Sequence, residues 1–326
     1  MRRNATGRLT MEIIRQLDRP LSIARPVLML GNFDGVHLGH QALIGSAVAD
    51  AKALGGRAVV YTFEPHPLKV LAPERAPRLI LTEADKMALL ESYGAEIAIV
   101  QKFDLEFARI EADKFVDDYL VKRIGVSKVW VGKDLRFGKG RKGRVEDLIL
   151  RGSEAGFSVG VVGPVEVDGH RVSSSRIRTL IERGQVRQAA QHLGRYHFIS
   201  GRVVPGQGRG REMGFPTANI ETATEAVPLD GIYATLFEIA GRRWQSATSI
   251  GVNPTFGAGP RTVESYVFDF EHDLYGQEVK LHFVDRIRDE IKFSSAETLA
   301  QQIERDVLDA RKMLHGVKPD PTVPNS

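Results

Sequence analysis

The pattern of apolar residues changes partway along the chain, and this change limits what the chain can fold into. In the first half, short continuous apolar runs alternate with stretches of helical periodicity, such as the apolar face from Ile44 to Ala51. Continuous runs with helices between them are typical of strands buried on both faces. This half is therefore predicted to be an α/β domain with a doubly wound parallel sheet. The runs are VLML (27–30), AVVYTF (58–63), IAIV (97–100), KVWVG (128–132) and VGVVGPV (159–165).

The pattern is different after residue 190, where the apolar runs become short and alternate with polar residues. Before this change, RIRTLIERGQVRQAAQHLGRYHF (176–198) predicts one or two helices broken at Gly184 and Gly194. Alternating runs are typical of antiparallel strands with one buried face, so a compact antiparallel β-barrel is predicted here. Its runs are ISGRVV (199–204), GIYATLFEIA (231–240), WQSATSIG (244–251), VESYVFDF (263–270) and VKLHFV (279–284), with a tight turn at Gly241 and Arg242.

Two helix starts carry capping signals. TEADKMALLESYG (82–94) has Thr82 and Asp85 at the spacing of a capping box, and Gly94 is a suitable stop. The last helix is predicted to begin with a capping box formed by Ser294 and Glu297. The barrel is thus expected to end with a terminal helix.

Length and composition limit the number of domains and the available chemistry. The 326 residues are enough for two domains, which we place at residues 1–187 and 188–326. The segment from residue 317, VKPDPTVPNS, contains three prolines and is expected to be a disordered tail. The sequence has no cysteine, which excludes disulfides, thiolate zinc sites and a cysteine nucleophile.

Charge and hydropathy point to a limited set of partners. The net charge of +4 would suit an anionic ligand, but the basic residues look dispersed, without the stripe of basic and aromatic residues typical of nucleic-acid binding. No apolar run approaches the roughly 20 residues of a membrane span, and the first residues lack the apolar centre of a secretory signal. We expect a cytoplasmic protein that binds small molecules, neither nucleic acid nor membrane, and that is a monomer or a weak homo-oligomer.

The stretch GNFDGVHLGH (31–40) follows the first buried run and precedes a predicted helix. A helix start has free backbone N–H groups and a partial positive charge, so it favours phosphate. His37 and His40 at this position are suited to hydrogen-bond the phosphate oxygens of a nucleotide and to stabilise charge on the phosphorus during displacement. Taken alone, the same stretch is also compatible with a glycine-rich turn that carries two solvated histidines.

Four strings of the first half, in this order along the chain, resemble one known family. They are GNFDGVHLGHQALI (31–44), TFEPHP (62–67), VGKDLRFGKGRKG (131–143) and RVSSSRIR (171–178). The first is similar to the H-x-G-H signature of nucleotidylyltransferases, in the form found in bacterial bifunctional riboflavin kinase/FMN adenylyltransferases, or FAD synthetases. The resemblance implies a Rossmann-like nucleotidylyltransferase fold for the N-terminal domain.

The resemblance also implies an adenylyltransferase site, in which His37, His40 and Arg178 act on the transferred phosphate. This sequence has Ser175 where the family often has threonine, which keeps the hydroxyl, and Leu135 where the family often has an aromatic ring. The implied nucleotide-binding residues are Gly31, Phe33, Asp34, His37, His40, Asp134, Arg171, Ser174, Ser175 and Arg178.

The second half resembles the flavokinase part of the same family. GRVVPGQGRGREMGFPTANI (201–220) is similar to its nucleotide loop, and Glu264 matches the glutamate that opens a strand and accepts a proton from riboflavin. Thr217 and Asn219 are implied Mg²⁺ ligands, whereas Tyr266 stands where the family usually has histidine. The implied ATP-binding residues are Gly206, Gly208, Gly210, Arg211, Gly214, Thr217 and Asn219.

Together the two motif sets imply a bifunctional enzyme of FAD biosynthesis with a flavokinase-like barrel. The barrel would use ATP with Mg²⁺ to convert riboflavin to FMN, and the N-terminal domain would join FMN and AMP to give FAD and pyrophosphate. One alternative is a nucleotidylyltransferase with another phosphorylated acceptor, fused to a flavokinase. A nucleic-acid-binding regulatory protein is the alternative from a different class.

Overall fold

A computed structural model describes residues 10–206, 210, 214–252 and 261–317 of the chain. Its contacts form two compact units. The α/β unit comprises Met1–Arg78 and Glu83–Val172, and the barrel unit comprises Leu79–Thr82 and Ser173–Ser326. The helices between residues 174 and 193 belong to the barrel unit. The domain boundary after residue 187 remains a prediction about which segments fold independently.

The secondary structure follows the two patterns of the sequence. The strands are β1 (Glu12–Arg15), β2 (Pro26–Leu30), β3 (Arg57–Glu64), β4 (Ile97–Lys102), β5 (Lys128–Gly132), β6 (Arg136–Phe137), β7 (Gly143–Arg144), β8 (Ser158–Val162), β9 (Glu166–Val167), β10 (His170–Arg171), β11 (His197–Val204), β12 (Thr217–Thr222), β13 (Gly231–Ile239), β14 (Arg242–Gly251), β15 (Thr262–Val267) and β16 (Glu278–Arg288). The α-helices are α1 (Leu38–Leu54), α2 (Pro67–Leu71), α3 (Glu83–Ser92), α4 (Ala112–Lys114), α5 (Val145–Ala155), α6 (Ser174–Glu182), α7 (Val186–Leu193) and α8 (Ala296–Leu314). A π-helix spans Phe115–Ile124, and 3₁₀ turns span Pro73–Arg75, Phe107–Arg109 and Lys139–Arg141.

The α/β unit is built on a parallel sheet with strand order β1-β4-β3-β2-β5-β8. Every residue of β2 is buried. On one face, Leu28 and Leu30 belong to a core cluster that also contains Phe115 and Leu120 of the π-helix. α1 contacts β2, β3 and β5 and buries Leu43, Ile44, Ala47 and Ala51.

The barrel unit is a closed antiparallel barrel with strand order β11-β12-β15-β14-β13-β16. Its core cluster includes Tyr233, Phe237, Leu281 and Phe283. α8 packs against β13, β14 and β16, where Ala310 and Leu314 are fully buried. The predicted fold class, a doubly wound parallel sheet followed by a small antiparallel barrel with a terminal helix, is therefore confirmed.

Some local predictions were wrong by one residue. The turn between β13 and β14 is formed by Ala240 and Gly241, not by Gly241 and Arg242. Ala240 and Gly241 have the positive φ angles that a tight hairpin turn requires, 49° and 77°. The capping box of α8 is formed by Ser295 and Thr298, not by Ser294 and Glu297. Several elements were not predicted, among them β1, the π-helix, α5 and the short ribbons β6–β7 and β9–β10. Apart from Val317, the predicted disordered tail lies outside the described residues.

Candidate active sites

The first candidate site is the loop that leaves β2. β2 lies between β3 and β5, and the chain continues from β2 towards β3 but from β5 towards β8. The carboxyl ends of β2 and β5 thus form a topological switch point, which is where parallel sheets bind ligands. The loop from Gly31 to His37 and the residues after β5 both lie at this edge.

The backbone of this loop is strained. Phe33 and Val36 have positive φ angles of 53° and 38° although neither is glycine, and Gly35 between them has a φ of 83°. Such conformations cost on the order of 1–3 kcal/mol each and persist where the surroundings fix them. Phe33 and Val36 are fully buried, so their side chains hold the loop in this conformation and determine where α1 begins.

His37 and His40 are brought together at the start of α1. Their rings stack with a centroid distance of 3.7 Å and an interplanar angle of 12°. His37 is the N-cap residue, and its Nδ1 accepts a hydrogen bond from the backbone N–H of His40 at 3.3 Å. Its proton in the neutral form therefore sits on Nε2. A Cβ at Gly39 would lie 3.3 Å from the His37 ring, so glycine at this position leaves room for the pair.

Neighbouring strand ends support the loop. Thr62 at the end of β3 donates a hydrogen bond to the Asn32 carbonyl at 3.3 Å. The Asn32 side-chain amide lies 3.4 Å from Nε2 of His66, the N-cap residue of α2. The buried Lys86 of α3 has a pKa lowered mainly by desolvation, while the carboxylates of Glu64 and Asp34 oppose this shift. A cation thus lies near Asp34, which is itself buried.

Two further predicted residues meet near the end of β5. Asp134, two residues after β5, forms an ion pair with Arg171 of β10. Both side chains are more than half exposed, so the pair can be rearranged by an anionic ligand at little cost. Leu135, at the position where the family often has an aromatic ring, is partly buried against the core cluster that contains Phe115 and Phe137.

The predicted phosphate-binding residues of the RVSSSRIR string lie at the start of α6, in the barrel unit. Ser173 is the N-cap residue, and its hydroxyl accepts a hydrogen bond from the Arg176 N–H at 3.2 Å. Ser174 and Ser175 are therefore the first two helical residues, and Arg178 lies on the next turn. The predicted adenylyltransferase residues are thus divided between the two compact units.

The second candidate site lies on the outer surface of the barrel. Thr217 of β12 donates a hydrogen bond to the Glu264 carboxylate at 3.4 Å, and Thr262 donates one at 3.2 Å. Asn219 is directly opposite Glu264 in the pairing of β12 with β15. Because side chains alternate along a strand, these groups face away from the core residues Ala218 and Val263. The structure thus brings Thr217, Asn219 and Glu264 together.

The glycines of the predicted ATP loop approach this group. A Cβ at Gly206 would lie 2.0 Å from the Asn219 side-chain nitrogen, and one at Gly210 would lie 2.3 Å from the Phe215 carbonyl. Gly214 has a φ of 84°. Gly208 and Arg211 lie outside the described residues. Tyr266, which replaces the family's histidine, packs edge to face with Phe215 at 5.5 Å.

An aromatic cluster at the carboxyl edge of the α/β sheet was not predicted. Its rings are 5.4–6.2 Å apart between centroids, and it begins with Phe63 in β3 and Phe103 directly after β4. Only Phe63 is distant in sequence; the other four rings fall within residues 103–119 at spacings of four and eight, a local signal that could have revealed them. The cluster consists of Phe63, Phe103, Phe107, Phe115 and Tyr119.

Comparisons with known proteins assign a family to each half of the chain. A family model described as FAD synthetase matches residues 21–176. A second model, described as riboflavin kinase, matches residues 193–314. The fold and the two family models therefore define a protein with a nucleotidylyltransferase-like α/β domain and a flavokinase barrel in one chain.

Curated relatives cover almost the whole chain. A "Bifunctional riboflavin kinase/FMN adenylyltransferase" of Pseudomonas fluorescens is 38% identical over 305 residues, which is 91% of this chain and 97% of that relative. Relatives with the same description are 35% identical in Escherichia coli strain K12, with 90% of this chain and 94% of the relative covered, and 37% identical in Bacillus subtilis, with 88% and 92% covered. The chain belongs to the family of bifunctional riboflavin kinase/FMN adenylyltransferases.

A solved structure from Streptococcus pneumoniae, titled a macrolide-efflux protein, has a similar fold. The two sequences are 33% identical, the TM-score is 0.83, and the match covers 93% of this chain and 99% of the pneumococcal chain. Macrolide efflux is named for the pneumococcal protein only. Among the described residues, no helix is long and apolar enough to cross a membrane, and no group of three or more His, Cys, Asp or Glu side chains is arranged to hold a metal ion.

Proposed function

We propose that this chain carries out two consecutive reactions at the two candidate sites. In the barrel unit, the ribityl 5′-hydroxyl of riboflavin attacks the γ-phosphorus of ATP, which gives FMN and ADP, while the hydroxyl proton passes to Glu264. In the second reaction, a phosphate oxygen of FMN attacks the α-phosphorus of another ATP. The bond between the α-phosphorus and the oxygen that bridges it to the β-phosphorus breaks, so the products are FAD and pyrophosphate.

The observation that carries the adenylyl-transfer assignment is the stacked pair of His37 and His40 at a helix start on the switch edge of the sheet. Nδ1 of His37 accepts the His40 backbone N–H, so the ring proton lies on Nε2, which is the atom that would donate to a phosphate oxygen. The reaction requires no protein base, since the FMN phosphate is ionised near neutral pH. Positioning and charge stabilisation by the loop would provide the rate enhancement.

Binding of the rest of the substrates follows from the neighbouring groups. We propose that Gly31, Phe33 and Asp34 shape the nucleotide pocket and that Asp134 and Arg171 border it. Ser174, Ser175 and Arg178 would bind the phosphates that leave as pyrophosphate, as hydroxyls and a guanidinium are suited to do. The aromatic cluster offers flat apolar rings, which suit the isoalloxazine ring of FMN.

In the barrel, Thr217 and Thr262 hold the Glu264 carboxylate in place, and this orientation supports its role as proton acceptor. Thr217 and Asn219 offer neutral oxygen ligands, which fit a Mg²⁺ ion held mainly by substrate phosphates. When bound, Mg²⁺ would neutralise phosphate charge. Gly206, Gly208, Gly210, Arg211 and Gly214 would surround the ATP phosphates.

We further propose that the partners are small molecules only, namely ATP, riboflavin and FMN, and that the chain works in the cytoplasm as a monomer or weak homo-oligomer. The alternative of a different phosphorylated acceptor is tested by offering FMN, phosphopantetheine and glycerol phosphate with ATP. Mass spectrometry of the products should detect only FAD. Another adenylylated product in larger amount would replace FMN as the acceptor.

Paired variants test the assignment of the two sites. His40→Asn should lower FAD formation from FMN by about 10²-fold or more and leave riboflavin phosphorylation unchanged. Glu264→Gln should lower riboflavin phosphorylation by about 10²- to 10⁴-fold and leave FMN adenylylation unchanged. The assay follows riboflavin, FMN and FAD over time after chromatographic separation.

Exposed residues of the same type provide matched controls. His315→Asn lies directly after α8, and Glu278→Gln lies in β16, both in the barrel unit and away from the residues assigned to either site. Neither control should change either rate by more than about twofold, because surface substitutions away from a site have small effects. If His40→Asn and Glu264→Gln each reduced both reactions equally, the proposal of two separate sites would be wrong.

A further inference from the structure

A dense group of cations lies between β5 and α5, although the basic residues look dispersed along the sequence as a whole. We call residues 133–144 the basic ribbon. All of its cations are exposed, and its only acidic residue is Asp134, which is paired with Arg171. The six cations are Lys133, Arg136, Lys139, Arg141, Lys142 and Arg144.

The basic ribbon is anchored to the α/β unit. β6 and β7 pair within it, and the ring of Phe137 is buried in the core. A Cβ at Gly138 would lie 2.6 Å from the Ala112 Cα, and one at Gly143 would lie 2.8 Å from the Ala112 Cβ. The Lys139 N–H also donates a hydrogen bond to the Ile110 carbonyl at 2.7 Å. The cations are therefore held on a fixed support.

Most of this charge is not neutralised locally. Within the described part of the chain, Lys139 is the one cation of the ribbon with an ion-pair partner, Glu111, and both side chains of that pair are 52% exposed. Like charges at this density repel one another, which makes the ribbon costly for stability. A negatively charged ligand nearby would relieve this repulsion.

The position of the ribbon indicates which ligand this is. It leaves the carboxyl end of β5, beside the switch point where the His37 loop lies. FMN carries a phosphate monoester and ATP a triphosphate, so both substrates of adenylyl transfer are multiply charged anions. A fixed field of one sign near a binding cleft raises the rate at which such anions arrive, by about 10- to 10³-fold in known cases.

We propose that the basic ribbon is an electrostatic capture surface that steers the phosphate-bearing substrates FMN and ATP into the adenylyl-transfer site. This inference rests on the proposed function and adds to it a role for residues outside the pocket. A nucleic acid fits the ribbon less well, because the ribbon is short and its one aromatic ring, Phe137, is turned into the core and cannot stack on a base.

Ionic strength separates steering from direct binding. We compare the unaltered chain with Arg141→Gln/Lys142→Gln, and with the charge-matched control Lys52→Gln/Lys122→Gln. Lys52 lies in the last turn of α1 and Lys122 in the last turn of the π-helix before β5, so both control cations lie towards the opposite edge of the sheet. FAD formation is measured with ATP saturating and FMN varied, at about 10 mM and about 1 M salt, where the screening length is roughly 30 Å and 3 Å.

At low salt, the ribbon variant should have a KM for FMN about fivefold higher and an unchanged kcat, and the difference should vanish at high salt. The control should match the unaltered chain at both salt concentrations. Riboflavin is uncharged, so kcat/KM for riboflavin in the kinase reaction should be the same in all three proteins. The unchanged kcat of FAD formation reports that the α/β unit, which carries the substitutions, is folded.

Three results would overturn the inference. An equal effect of the control variant would mean that only net charge matters, and a loss that persists at high salt would mean direct ligation. Salt-dependent binding of an oligonucleotide that the ribbon variant loses, with FAD formation unaffected, would make nucleic acid the partner. If the unaltered chain forms no FAD, the proposed function itself is wrong. If it forms FAD but the ribbon variant behaves like the control, only the steering inference is wrong.

Discussion

Replacement of His197 by glutamine should make the barrel unit less sensitive to acid. His197 in β11 is buried, and its Nε2 lies 2.9 Å from the Ala226 carbonyl oxygen. A carbonyl can only accept, so Nε2 carries the proton and donates it. Burial lowers the pKa of this imidazole from 6.5 to about 3, although the Ala226 hydrogen bond opposes the shift. The folded chain therefore keeps His197 neutral.

The size of the effect follows from the difference between the folded and unfolded pKa. Between pH 6.5 and about 3, the unfolded chain binds a proton at His197 and the folded chain does not. The free energy of unfolding therefore falls as the pH falls, by about 1.4 kcal/mol for each pH unit in this window. Between pH 7 and pH 4.5 the loss from His197 alone is about 2–3 kcal/mol.

Glutamine provides a suitable replacement, because its side-chain N–H₂ can donate to the Ala226 carbonyl but does not titrate. Urea unfolding at pH 7 and pH 4.5 measures the effect in each protein. The chain has two tryptophans, and in a Trp130→Phe background the emission of Trp244, which packs against Phe270 in the barrel unit, reports this unit alone. The unaltered barrel should lose about 2–3 kcal/mol more than the glutamine variant.

His272→Gln is a matched control in the same unit, since His272 is exposed, and it should leave the pH dependence unchanged. Other groups, including the buried His282 whose pKa is also lowered by burial, contribute equally to all variants and cancel in the comparison. If His197→Gln loses as much stability at pH 4.5 as the unaltered chain, His197 is protonated in the folded barrel and the reasoning is refuted.

Two further substitutions test contacts in the barrel unit. Gly206→Ala places a methyl group 2.0 Å from the Asn219 amide, so the KM for MgATP in riboflavin phosphorylation should rise about tenfold or more. FMN adenylylation serves as the internal reference, and an unchanged KM would mean that Asn219 is not involved. Asp306→Ala leaves the half-buried guanidinium of Arg288 without the carboxylate that it contacts at 2.8 and 2.6 Å. The free energy of unfolding from Trp244 emission should fall by about 3–5 kcal/mol, and a loss below 1 kcal/mol would show that water replaces the carboxylate.

The central strands could be predicted from sequence because their burial leaves a continuous apolar run. KVWVG, for example, became β5 with the same ends, Lys128–Gly132. The edge strand β1 was missed because its outer positions are occupied by Glu12 and Arg15 and most of it is exposed. β6 and β7 contain two residues each, which is too short for any periodic signal.

The sites show a similar division. The H-x-G-H string revealed that two histidines lie at a helix start, but the stacking of their rings depends on the strained backbone at Phe33 and Val36, which no local rule predicts for non-glycine residues. The pairing of Asn219 with Glu264 depends on the register of β12 against β15, set by the whole barrel. Gly208 and Arg211 remain predictions from the motif.

The closed barrel and the open parallel sheet differ in how readily their strand edges can start aggregation. A closed barrel has no free strand edge, whereas the parallel sheet ends in β1 and β8. β1 is short and carries charged residues, which discourages the addition of a foreign strand. β8 has the sequence SVGVV, and its Val161 is exposed. We expect aggregation at high concentration to start at the free edge of β8, and Val161→Lys to suppress it.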